Sequence, residues 1–269
     1  MVGLSPPRTD VVAGPHGPLE ILTRGSGPPG TLFVHGLTGS ISSTRPYSGR
    51  VRGQRTFMHL AGHGASVSAE ALSYEALAQE VWAAAEHVRA SAALGISMGA
   101  GAILAGLAAD PGRFRAVVLV LPAALDRPRP GPAGGRFARL ARLVHAADVE
   151  AVARHLLSHE SPEVRESRQG RQWSREQAER LVAGNPQAAL TQIPQQVPLR
   201  DAGRLGEVSA SVLVLAQRDD PTHPVEVARA VAGSIPQARL EVLDPGGLMW
   251  AHRGRVRAMV GEFLDQHGA

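Results

Sequence analysis

The sequence predicts an α/β fold: a mostly parallel central sheet with helices on both faces, plus an inserted helical cap. Three observations lead there. Apolar runs of strand length recur along the chain, helical patterns separate them, and one connection is far longer than the rest. Leu19 to Thr23 and Thr31 to His35 read as the first strands, and Arg55 to Leu60 and Ala92 to Ile96 as the next. Arg115 to Leu121 is bounded by Pro111-Gly112 and Pro122; Ser211 to Ala216 and Arg239 to Leu243 complete the set. Continuous apolar runs of this length suit strands buried on both faces.

The helices fall between these runs. Ala71 to Arg89 carries Leu77, Val81, Ala85 and Val88 at a spacing close to one helical face. Met98 to Ala109 is small and apolar and stops at Asp110-Pro111-Gly112. Val225 to Ala232 and His252 to Gln266 read as the last two. Strand–helix alternation is the signature of a parallel sheet covered on both sides. Nearly ninety residues separate Leu121 from Ser211, too many for a structureless loop in a compact domain. They open on a Pro/Gly-rich linker, Arg127 to Gly135, and contain helical patterns at Phe137 to Val144, Val149 to Leu157 and Arg175 to Val182. Residues 127–205 therefore read as a cap inserted into a core of residues 1–126 and 206–269. The cap holds 13 Arg against 8 Asp and Glu, so the net charge of +4 resides there. Such a surface either is simply solvated or attracts an anionic substrate.

Composition removes several classes. The chain has 269 residues, 43% hydrophobic and 19% charged, which is globular. The longest apolar runs, such as Ala116 to Leu121, are far short of a bilayer span, so no membrane partner is expected. Cysteine is absent, which excludes disulfides, thiolate metal sites and a cysteine nucleophile. All 28 basic residues are Arg, which excludes a Schiff-base lysine. The modest charge and 4% aromatics argue against a nucleic-acid partner. Met1 to Asp10 lacks a basic head followed by an apolar run, so the cytoplasm is the expected compartment. His145, His155 and His159 in the cap show no metal-ligand spacing; neither a metal nor a cofactor is expected.

One motif carries chemistry. Gly95-Ile96-Ser97-Met98-Gly99 matches Gly-x-Ser-x-Gly and lies between a strand and a small-residue helix. A nucleophile needs that context to project from a sharp strand-to-helix turn, and the flanking glycines relieve the crowding there. The helix start also aims free N–H groups at developing negative charge. Phe33-Val34-His35-Gly36-Leu37-Thr38-Gly39 follows an earlier strand. Its turn can present the Leu37 N–H, which with that of Met98 would form an oxyanion hole. His35 reads as a residue that shapes this loop, not as a base.

At this point the chain resembles the α/β-hydrolase superfamily. The resemblance rests on the His35-Gly36 turn, Gly62-His63-Gly64-Ala65-Ser66, the Ser97 elbow and the segment from Val212 to Pro224. The chain resembles the serine esterase and enol-lactonase-like members, and Ser97-Met98-Gly99 looks like the enol-lactonase and carbon–carbon-bond hydrolase branch. The resemblance implies a triad in chain order Ser, acid, His. Ser97 is the nucleophile, and Asp220 fits the acid, with Pro224 following. Asp219 and Asp126 are alternatives. The histidine is expected in the Gly-rich loop after the last strand, but Asp244 to Ala251 contains none, and His252 comes a few residues late. His252 is the expected base. His59, His63 and His223 read as structural. The implied activity is hydrolysis of a carboxylic ester, lactone or thioester, with a small-molecule acyl substrate and an anionic one suiting the cap. The displaced histidine motivates a second reading: a hydrolase-fold protein without hydrolytic activity, binding a ligand or catalysing a cofactor-free elimination or cyclisation. An imidazole within reach of Ser97 Oγ supports the first, and Leu248 filling that place supports the second.

Overall fold

The computed structural model describes residues 9–67, 70–128, 133–184 and 186–268; of residues 133 and 134 only the backbone is described. Most of Met1 to Asp10 and the middle of the 127–135 linker therefore lie outside the described residues.

Eight strands form one sheet: β1 (Asp10–Gly14), β2 (Gly17–Arg24), β3 (Gly30–Val34), β4 (Gln54–Met58), β5 (Ala92–Ile96), β6 (Ala116–Val120), β7 (Ser211–Gln217) and β8 (Ala238–Leu243). Their order is β1-β2-β4-β3-β5-β6-β7-β8. β2 runs antiparallel to both neighbours, and every pair from β4 to β8 is parallel. The sequence reading missed β1, which forms a hairpin edge and is largely exposed. An edge strand of this kind has no continuous apolar run to betray it.

The helices are α1 (Ile41–Thr44), α2 (Tyr74–His87), α3 (Met98–Ala109), α4 (Ala133–His145), α5 (Val149–Leu157), α6 (Pro162–Glu166), α7 (Arg168–Gly184), α8 (Gln187–Gln192), α9 (Val225–Ser234) and α10 (Arg253–His267). Strand alternation divides the core in two. Val117, Leu119, Val212 and Val214 face α2, α3 and α9. Ala116, Val118, Val120, Leu213 and Leu215 face the other way, onto Val256, Val260, Phe263 and Leu264 of α10. β3, β5 and β6 are buried almost throughout, as strands covered on both faces must be.

α4 to α8 all lie between β6 and β7. Their apolar faces, including Phe137, Leu140, Val152, Leu156, Leu181 and Leu190, join the α2/α3 side of the core. Gln192 bridges to the segment before α2: its Oε1 accepts from Leu72 N at 2.8 Å and its Nε2 donates to Glu70 O at 2.7 Å. Among the described residues no helix is long and apolar enough to cross a membrane. β3 and β5 are neighbours whose connections leave in opposite directions along the sheet. Such a switch point opens a crevice at the carboxyl ends of the strands, where ligands bind in folds of this type.

Candidate active site

Ser97 stands at that crevice, between the end of β5 and the first residue of α3. Its backbone has φ 51° and ψ −105°, a strained conformation for a residue with a side chain, and such strain clusters at functional sites. Its N–H donates to Val120 O at 2.9 Å and its carbonyl accepts from Gly101 N at 3.0 Å. The two glycines of the motif are fixed by close approach. A Cβ on Gly95 would stand 2.5 Å from Gly99 O, and one on Gly99 would stand 2.6 Å from Val34 O. Any larger residue would force α3 away from β3 and β5, and the turn with it.

The loop after β3 lies against this elbow. A Cβ on Gly36 would fall 3.4 Å from Ser97 Cβ. His35 is fully buried; Nδ1 donates to Gly36 O at 2.7 Å and Nε2 accepts from Leu60 N at 3.1 Å. Burial, reinforced by the rings of His63 and His59, keeps His35 well below the usual imidazole range. Both its nitrogens are used, so it is a loop support. His63 Nε2 faces Leu37 O at 2.7 Å and so holds the next peptide. Among the described residues, the N–H groups of Leu37 and Met98 have no hydrogen-bond acceptor. The Met98 amide stands at a helix start directly after Ser97, and the Leu37 amide follows Gly36, which lies against Ser97.

The loop after β7 completes the arrangement. Asp220 Oδ1 accepts from Thr222 N at 2.9 Å and from His223 N at 3.1 Å, a tight turn built on its own side chain. That turn carries the His223 ring onto the carboxylate, with Nδ1 2.8 Å from Asp220 Oδ2. The other ring nitrogen, Nε2, lies 3.0 Å from Ser97 Oγ. A carboxylate only accepts, so the ring proton sits on Nδ1 and Nε2 is left to accept from the serine hydroxyl. Burial pushes the Asp220 carboxyl up. The hydrogen bond and charge of His223, with the Thr222 and His223 amides, outweigh it and hold the group below its ordinary value.

The expected base stands elsewhere. His252 Nε2 lies 2.8 Å from Asp244 O and 3.3 Å from Pro245 O, and the ring has no contact with Ser97. The physical reason is the turn before it. Gly246 and Gly247 both have positive φ, 118° and 84°, and they wind the chain into one wide turn, Gly247–Ala251. Leu248 then points into the α10 side of the core, 3% exposed, and His252 folds back on the carbonyls at the head of the loop. The structure thus brings Ser97, Asp220 and His223 together and leaves His252 out. His223, read from the sequence as structural, is the residue that was missed. A usable signal existed: Asp220-Pro221-Thr222-His223-Pro224 puts an imidazole three residues after a turn-forming Asp, between two prolines. Asp219 is exposed and left-handed, with φ 58°, and Asp126 makes no contact with the ring. His59 Nδ1 bonds Glu20 Oε2 at 2.8 Å and its Nε2 accepts from Ile41 N at 3.0 Å. Among the described residues no group of three or more His, Asp or Glu is placed to hold a metal ion.

Residues from the inserted helices reach the same place. Arg136 Nη1 donates to Thr222 Oγ1 at 2.6 Å. Burial lowers the Arg136 guanidinium, while the charges of Asp220 and Glu160 oppose that. Burial raises Glu160, and Arg136 counters. Trp173 of α7 meets Trp250 edge-on, with ring centroids 6.0 Å apart.

A serine beside an imidazole beside a carboxylate, at the carboxyl ends of a parallel sheet, defines a class of α/β protein with a nucleophile elbow. The chain belongs to the alpha/beta hydrolase family, whose model matches residues 31–259. No curated protein sequence matches it. Among solved structures it is similar to a thermophilic esterase from Thermogutta terrifontis, with TM-score 0.79 and 20% identity over 97% of this chain and 100% of that one. It is also similar to the esterase EaEST from Exiguobacterium antarcticum, with TM-score 0.76 and 18% identity over 95% and 98%. A meta-cleavage product hydrolase from Pseudomonas fluorescens gives TM-score 0.80 and 14% identity over 96% and 97%. At these identities the likeness speaks for the fold alone.

Proposed function

We propose that the protein is a serine hydrolase of a carboxylic ester, lactone or thioester, with Ser97 as nucleophile, His223 as general base and Asp220 as the orienting acid. The observation that carries this reading is the continuous contact from Ser97 Oγ through the His223 ring to Asp220 Oδ2, at 3.0 and 2.8 Å. In the acylation step Ser97 Oγ attacks the acyl carbon and its proton passes to His223 Nε2. Asp220 steadies the imidazolium. The Leu37 and Met98 amides receive the developing oxyanion, a contribution of about 3 kcal/mol per donor in comparable sites. His223 then protonates the leaving group, and the acyl-enzyme is released when water attacks with His223 as base.

Residues 127–205 serve as the cap that selects a small-molecule acyl substrate. Arg136 is opposed by both Asp220 and Glu160, so attraction of an anionic substrate falls to the exposed arginines of the cap. Leu248 packs on the α10 side of the core, and the place beside Ser97 Oγ that the non-hydrolytic reading gave to it holds the His223 ring instead. An imidazole at Ser97 from another loop removes that reading's motive.

The test is reaction of the purified protein with a fluorophosphonate, followed by intact mass. One adduct per chain is expected, lost in Ser97→Ala and strongly slowed in His223→Ala. A folded wild-type protein that stays unlabelled would overturn the proposal.

A further inference from the structure

We propose that Arg136, carried by the inserted helix α4, is a positioning residue for the acid and the base together, acting through Thr222. This rests on the serine-hydrolase reading above. The segment that carries Asp220 and His223 has little else to hold it. Residues 218–224 include no fully buried side chain. At its start Arg218 N donates to Leu243 O at 2.9 Å and the Arg218 guanidinium pairs with Asp244; beyond that, among the described residues, it is fixed by its own turn, by Ser97 and by Arg136.

Thr222 sits between the two reacting partners. Its amide is one of the donors to Asp220 Oδ1, and its hydroxyl oxygen accepts from Arg136 Nη1 at 2.6 Å. A hydrogen bond from a charged donor at that length is of the stronger kind. α4 is itself anchored, because Phe137, Leu140 and Ala141 are buried in the core. The guanidinium is therefore held at one end by a packed helix and at the other by Thr222. In a triad whose acid and base come from separate loops, a strut at this position would reach only the acid. Here both lie within four residues, so one contact orients both.

The charge of Arg136 adds a second effect. The charged groups facing Asp220 are His223 from its own segment, Arg136 from α4 and Glu160 from the turn after α5. Arg136 lies between the charges of Asp220 and Glu160, so removing it leaves two carboxylates facing each other with no cation to offset their repulsion, which loosens the turn that holds Asp220.

The test measures the rate of fluorophosphonate labelling in the full-length protein, with melting curves to verify folding. Thr222→Val keeps the shape but removes the acceptor, and labelling should slow about tenfold or more. Thr222→Ser keeps the hydroxyl and should stay within about twofold. Arg136→Met should slow labelling similarly, and Arg136→Lys, which keeps a charged donor, should recover most of the rate. Wild-type rates in both Thr222→Val and Arg136→Met would overturn the assignment while leaving the hydrolase reading intact. Slowing in Arg136→Met with a wild-type rate in Thr222→Val would reduce Arg136 to a packing role and overturn it too. If Arg136→Met does not fold, the contrast between Thr222→Val and Thr222→Ser decides. A folded, unlabelled wild type would overturn the hydrolase reading and this assignment together.

Discussion

The loops after β7 and β8 begin as near neighbours on the same edge of the sheet, and each contains a histidine. They deliver it to opposite ends. In the first, Asp220 folds its carboxylate back onto the amides of Thr222 and His223, and the ring is thrown toward Ser97. In the second, two left-handed glycines wind the chain inward, so that an apolar Leu248 is buried and the ring of His252 turns back onto Asp244 O. The difference teaches that a histidine is brought to Ser97 by the torsions of its own loop, not by its rank along the chain. A shift of only a few residues after a Gly-Gly pair took His252 out of reach.

The sharpest way to break this comparison is to remove each ring in turn. His223→Ala should reduce fluorophosphonate labelling about ten-thousandfold, whereas His252→Ala should stay within about threefold. The reverse pattern would restore the β8 loop as the source of the base. Next in size is the acid. Asp220→Asn should slow labelling about a thousandfold, because the amide can present its NH2 to the ring and favour the wrong tautomer. Asp219→Asn, exposed and left-handed, should have no measurable effect; comparable losses at both would refute the turn described for Asp220.

The β8 loop has its own signature, which is stability. Leu248→Ala should cost about 3 kcal/mol in chemical denaturation, with labelling per folded molecule unchanged. A loss of labelling without a loss of stability would mean that Leu248 faces the site.

The smallest effect sharpens the comparison with a third loop, the one after β4. Glu80 of α2 is 1% exposed, and its Oε2 accepts from Ala61 N at 2.9 Å while Oε1 has no partner among the described residues. Burial pushes its carboxyl up to about 7, against the Ala61 amide, which lowers it. The folded state thus binds the proton more tightly than the unfolded chain. Its stabilising contribution is complete below the ordinary carboxylate value near 4.5 and is lost as pH rises through about 7. Glu80→Gln should flatten the decline in stability between pH 5 and 8 by on the order of 2 kcal/mol. Identical pH dependence in variant and wild type would count against a buried, proton-binding Glu80.

Much of the fold was legible because its strands are interior. β5 and α3 match their expected limits, Ala92 to Ile96 and Met98 to Ala109, since apolar runs meet clear stop signals there. β1 escaped because an exposed edge strand needs no apolar pattern. α6 and α8 are 5 and 6 residues long, too short for an apolar face to repeat along them. At the site, Ser97 was legible because close packing permits so few residue types around an elbow. His223 was not, because spacing cannot say which way a loop turns. Arg136 was one of 13 arginines between 127 and 205, and nothing in the sequence marks its bond to Thr222.

The short segment from Asp220 to His223 has a consequence for how the molecule can be divided. Every group assigned to the chemistry lies between Leu37 and His223. β8 and α10 supply an edge strand and part of one core layer, and none of those groups. Pro236 and Gln237, exposed between α9 and β8, are a natural place to sever the chain. The longer fragment would hold the whole reactive apparatus on an incomplete scaffold, and the shorter one would hold only scaffold. Labelling regained on mixing would then report fragment reassembly itself, a binding signal read through a chemistry to which one partner contributes nothing.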